Sequence, residues 1–107
     1  MSTRAPLERA EVVGWCASHS PFALSDDGHL VAYFPIGYDA AIAVLRATQP
    51  LVASIDHHPI ATVEFGGLRV ECWTHDRGAV TGLDLQLCAA IGEAVSQLAD
   101  PTTPSSA

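Results

Sequence analysis

The residues of this chain best suited to chemistry are two adjacent histidines closed by a proline, Asp56-His57-His58-Pro59, and a third histidine on Trp73-Thr74-His75-Asp76. Three of the five histidines therefore fall between positions 56 and 76. Imidazole, with an unperturbed pKa of about 6.5, can both give and take a proton near neutral pH, so proton transfer is the chemistry this cluster suggests. Pro59 keeps His58 extended by excluding the helical region for the residue before it. Successive side chains of an extended segment point in opposite directions, which suits the pair to flanking a bound ring rather than chelating one ion. A metal centre built from His57, His58 and His75 with Asp56 or Asp76 would lack the i, i+4 or His-x-His spacing that puts two donors on one side, so no metal is expected.

The elements that must position these side chains follow from periodicity. Pro6 suits a first helical turn, and Leu7, Ala10, Val13 and Ala17 recur at helical spacing, predicting a first helix of about three turns with Trp15 in the core. Phe22 to Leu24 and His29 to Phe34 flank Ser25-Asp26-Asp27-Gly28, whose Asp-Gly favours a tight hairpin turn. Gly37-Tyr38-Asp39 supplies an N-cap before a second helix, Ala40 to about Ile55, with a kink near Ala47 or a split caused by Pro50. This helix is apolar on nearly all sides, which predicts cover from another subunit as well as from its own sheet. Ala61 to Phe65 and Leu68 to Thr74 read as a second hairpin turning at Gly66-Gly67, with Leu68, Val70, Cys72 and Thr74 on the core face. In that register His75 lies opposite the His58-Pro59 end, and the three imidazoles can meet at one edge of the sheet. Thr81 caps a last helix whose stripe is Leu83, Leu87, Ile91, Val95 and Leu98. Asp84, one turn in, has the spacing of a capping box and could equally reach an imidazole and fix its tautomer. His19 and His29 have no companions and read as solvent-facing loop residues.

The expectation is therefore an α+β fold, a four-stranded antiparallel sheet with three helices packed on one face, in one domain over 5–99 with flexible termini at 1–4 and 100–107. Five basic against twelve acidic residues give a formal charge of −7, which opposes direct nucleic-acid binding and an anionic membrane surface. The chain shows neither an export leader nor a run of about 20 apolar residues, so no membrane association is expected. Cys16, Cys72 and Cys88 are odd in number and lack Cys-x-x-Cys spacing, which predicts a reduced, cytoplasmic protein.

Taken together, His57-His58-Pro59, the strand Val70-Glu71-Cys72-Trp73 ending in Thr74-His75, Val80-Thr81 and Asp84 resemble the pterin-4a-carbinolamine dehydratases, which in animals also serve as dimerisation cofactors of a homeodomain factor. Gly14-Trp15 and the passage Tyr33 to Ala41 fit the same pattern, and the resemblance covers roughly Leu7 to Val95. It implies a pterin pocket lined by His57, His58 and His75, supported by Asp56, Pro59, Thr74 and Asp84. The implied reaction removes water from a 4a-hydroxytetrahydropterin to give the quinonoid dihydropterin, with no metal or redox cofactor. His57 and His75 would form the acid-base pair, and His58 would orient substrate or act as an auxiliary base. The family's dimers or tetramers imply self-association through the 40–55 helix and sheet edges. Two positions depart from its pattern, with Ala53 and Ile60 where glutamates commonly stand. The alternative implied by that departure is a family member without turnover that binds another protein, as in a branch regarded as carboxysome-associated Rubisco assembly factors.

Overall fold

In the computed structural model, which describes residues 5–98, the elements run α1 (Arg9–Ala17), β1 (Ala23–Leu24), β2 (Leu30–Phe34), α2 (Tyr38–Ile55), β3 (Ile60–Glu64), β4 (Gly67–Cys72), a short 3-10 turn (His75–Arg77) and α3 (Gly82–Leu98). The expected flexible termini lie outside the described residues. The four strands form one antiparallel sheet in the order β1-β2-β4-β3. This is the α+β arrangement that the periodicity predicts.

Alternation decides which sheet face is covered. Leu30, Ala32 and Phe34 of β2 pair with Cys72, Val70 and Leu68 of β4, and all six are buried in one cluster with Val12, Val44, Val52, Leu87 and Ile91 of the helices. On the other face Tyr33 and Arg69 are exposed, and Val31 and Glu71 are half-buried. Thr74 continues the buried row of β4.

Several boundaries differ from the expectation, each for a packing reason. The second hairpin turns at Phe65-Gly66, because Glu64 pairs with Gly67. Gly67 belongs to the strand, and a Cβ there would run into the Phe34 carbonyl and lie 2.6 Å from the Tyr33 hydroxyl. The close approach of β2, invisible locally, therefore claims the second glycine for β4. In α1 the buried residue is Val12, while Ala10, Val13 and Ala17 are exposed, and Pro6 precedes the helix. Trp15 is half-buried against the core, as expected.

The second helix is capped at Gly37, so Asp39 sits inside its first turn, and it runs unbroken for 18 residues through Pro50. Its buried face is Ala41, Val44, Thr48 and Val52. The Thr48 hydroxyl, two residues before the proline on the covered side, donates to the Val44 carbonyl at 2.9 Å. In α3 Leu83, Leu87 and Ile91 are buried as predicted, joined by Cys88 and Ala94, whereas Leu98 is exposed. Among the described residues no helix is long and apolar enough to cross a membrane.

Candidate functional site

The histidine pair is delivered by the way α2 ends. Asp56 adopts a left-handed conformation, φ 49°, and the amides of Asp56 and His57 return to the carbonyls of Ala53 and Val52. That is a Schellman stop, which reverses the chain just before the pair. The extended path into Pro59 then separates the two side chains: His57 is buried, 7% exposed, and His58 is exposed.

Buried His57 meets Asp84. Its Nε2 lies 2.6 Å from Asp84 Oδ1, which also accepts from the Cys72 thiol at 3.1 Å. Asp84 Oδ2 accepts from the Thr74 hydroxyl at 2.8 Å and from the Thr81 backbone N–H at 2.8 Å. Thr81 Oγ1 in turn accepts from the Leu83 N–H at 3.3 Å and shares a 2.7 Å hydrogen bond with Thr74. The two roles foreseen for Asp84 are thus held at once: one oxygen closes the capping box of α3 and the other fixes an imidazole. The Cys72 thiol, the Thr74 hydroxyl and the Thr81 amide all donate to Asp84, so this geometry suits His57 to donate from Nε2 as well, with Nδ1 as its second nitrogen. Among the described residues no buried side-chain nitrogen or oxygen lacks a partner, so the network is complete.

Above it opens a cleft of about 470 Å³, bounded by Asp56, His57, His58, Pro59 and Ile60 on one side and Thr74, His75 and Asp76 on the other. The three imidazoles named from the sequence do converge there. Of the two positions that depart from the family pattern, Ile60 lines the cleft and is 47% exposed, whereas Ala53 lies on the exposed side of α2.

Three residues were missed as participants by sequence reasoning. Cys72 entered only as a core residue, yet its thiol closes the Asp84 cluster. A hydrogen bond with Cys88, then burial, then the charges of Cys88 and Asp84 hold it well above the ordinary thiol range. Cys16 is also raised, by burial and then by Cys88. His29 is not a lone loop residue: its Nδ1 lies 2.6 Å from Glu71 Oε2, and its ring stacks on Trp73. Trp73 is the third, since it also stacks on His75. His19 likewise has partners, with its ring on Trp15 and its Nδ1 2.7 Å from the Trp15 carbonyl. The signal for His29 is the β2–β4 register, in which Leu30 pairs with Cys72 and the next step outward sets His29 across from Trp73.

The described residues that could offer three atoms to one cation are His57, Cys72 and Asp84, whose donors lie within 4.8 Å of one another. They are not the set weighed from the sequence. Each is engaged in hydrogen bonds within the cluster.

The family model "Pterin 4 alpha carbinolamine dehydratase" matches residues 3–94. A candidate pterin-4-alpha-carbinolamine dehydratase of Metallosphaera sedula is 39% identical over 69 residues, 64% of this chain and 72% of that protein. One from Chloroflexus aggregans is 31% identical over 90 residues, 83% of this chain and 96% of that protein. Among solved structures, a transcriptional coactivator/pterin dehydratase from Brucella melitensis superimposes with a TM-score of 0.78. That match covers 84% of this chain and 98% of the other at 17% identity, and it shows the shared fold.

Proposed function

This chain belongs to the pterin 4 alpha carbinolamine dehydratase family, and on that premise we propose that its cleft removes water from a 4a-hydroxytetrahydropterin. The observation that carries the reading is the anchored His57. Asp84 holds its Nε2–H, which leaves Nδ1 as the nitrogen able to take a proton at the cleft. In this reading His57 removes the ring-nitrogen proton of the substrate while protonated His75 gives a proton to the departing 4a-hydroxyl. The C–O bond breaks to release water, a C=N bond forms, and the quinonoid dihydropterin leaves. Return of the proton from His57 to His75, through solvent at the open cleft, restores the starting state. His58, exposed on the same rim, orients the substrate or serves as an auxiliary base. Asp56, Pro59, Thr74 and Asp84 act by shaping the loop and fixing His57. No step calls for a metal or a redox cofactor.

Self-association through α2 belongs to the same proposal. Its support is the uncovered side of that helix, where Tyr38 and Ile42 are exposed and a groove runs past Ile42 and Ala43 to Leu98. Light scattering on the purified protein reports the assembly size directly.

The decisive assay follows dehydration of a 4a-hydroxytetrahydropterin optically for the wild type, His57→Ala and His75→Ala. Loss of a general acid or base costs about 10²- to 10⁴-fold, and each variant is expected in that range. A wild type no faster than buffer defeats the enzyme reading and leaves the protein-binding alternative. Activity that survives both substitutions means the chemistry lies elsewhere.

A further inference from the structure

Three rings stand in one column on the uncovered face of the sheet. His29 and Trp73 are stacked with centroids 3.7 Å apart and planes 2° from parallel. Trp73 and His75 are stacked at 4.1 Å and 9°. Two imidazoles cannot both lie about 4 Å from one indole on the same side without overlapping, so Trp73 is clamped between them. The column is anchored at its far end. His29 Nδ1 donates to Glu71 Oε2 at 2.6 Å, and the His29 backbone N–H donates to Ser25 Oγ at 3.1 Å. At its near end His75 begins the 3-10 turn His75–Arg77 and lines the cleft.

We propose that Trp73 is a positioning residue for His75, with His29 and Glu71 as its backstop. The need is plain from the contrast between the two imidazoles assigned to proton transfer. His57 is buried and tied to Asp84, whereas His75 is exposed, and among the described residues its ring nitrogens have no hydrogen-bond partner. An exposed ring without such a tie spreads over several staggered rotamers. Stacking on a fixed indole face favours one of them by about 2- to 10-fold, while both nitrogens at the ring edge stay open to the cleft. Since Trp73 is itself covered on both faces, the order is passed from the β1–β2 turn across the sheet to the site. Proton transfer depends steeply on placement, so losing this order lowers kcat more than it raises KM. The inference rests on the role proposed for His75, but the geometric half of its test does not.

The test uses the full chain as wild type, Trp73→Ala, Trp73→Phe and His29→Ala. Proton NMR of the His75 ring reports the stack, because the indole ring current moves those resonances upfield. Trp73→Ala is expected to abolish that shift and lower kcat by about 2- to 10-fold, the rotamer bias lost with the stack, with a smaller change in KM. Trp73→Phe, which restores an aromatic face, recovers most of both, and His29→Ala falls between. Comparison of urea midpoints ensures that folded protein is being measured. An unshifted His75 signal in the wild type, or Trp73→Ala with wild-type kcat, overturns the inference. So does a kcat loss that Trp73→Phe leaves uncorrected. Absence of turnover in the wild type sinks the dehydratase reading alone, and the ring-current comparison still decides whether Trp73 positions His75.

Discussion

Asp84→Asn tests the central hydrogen-bond network with almost no change in shape. The wild-type carboxylate accepts four hydrogen bonds: His57 and Cys72 at one oxygen, Thr74 and the Thr81 amide at the other. An asparagine offers one oxygen and one NH₂. The Thr81 amide can only donate, so the amide oxygen must turn toward it and the NH₂ toward His57. His57 can adapt by moving its proton from Nε2 to Nδ1. The cap of α3 survives, but the charge-assisted bond at 2.6 Å is replaced by a neutral one, which costs roughly 1–2 kcal/mol of stability. The functional effect is larger. His57 now presents a donor to the cleft where the proposed reaction needs an acceptor, and turnover drops by about 10²- to 10⁴-fold. Urea unfolding measures the first quantity, steady-state dehydration the second, and ¹⁵N NMR of the imidazole reads the tautomer directly. Turnover of Asp84→Asn within a few-fold of wild type, or a His57 that retains its proton on Nε2, refutes this role for Asp84.

Three further outcomes follow from the fold. Gly67→Ala drives a Cβ into the Phe34 carbonyl and the Tyr33 ring, so it should lose about 1–3 kcal/mol in chemical denaturation, whereas Gly66→Ala, whose nearest neighbour is the Tyr33 hydroxyl at 3.3 Å, should lose clearly less. Asp56→Gly relieves a left-handed residue at the end of α2 and should gain about 0.5–1 kcal/mol by the same measurement, with a loss of stability counting against the Schellman reading. The Cys72 thiol, raised by its hydrogen bond with Cys88 and by burial, keeps its proton in the folded state after an unfolded thiol has lost it. Its contribution to stability is therefore complete below the ordinary thiol value of 9.0 and falls above it by up to roughly 1.4 kcal/mol per pH unit. Cys72→Ala should flatten that alkaline limb of the stability profile.

Residues that act on near neighbours could be read without a structure. The Asp27-Gly28 turn is one: Gly28 has φ 84° and closes the β1–β2 hairpin where the dipeptide predicts. The capping box of Thr81 and Asp84 is another, because its reach is a single helical turn. Pro59 alone forces the extended path that separates His57 from His58. The alternation Leu68, Val70, Cys72, Thr74 likewise predicts its buried face correctly. In α1 helical spacing predicts Val13 on the core side, yet Val12 is the buried residue, since a short helix with one buried position leaves the stripe poorly defined.

What the chain alone determined is the set of groups that could do chemistry and the local backbone that presents them: the His-His-Pro segment, the Thr-His strand end and the capped aspartate. Tertiary structure decided how those groups are joined. It placed β4 between β2 and β3, and so brought His29 across from Trp73 over more than 40 residues of chain. It gave Asp84 its second partner in His57 and moved the hairpin turn by one residue by pressing β2 against Gly67. The physical reason is one of range. Dihedral preferences and alternation act over a few residues, whereas strand order and the partner of a buried carboxylate are set by the free energy of the whole packed core.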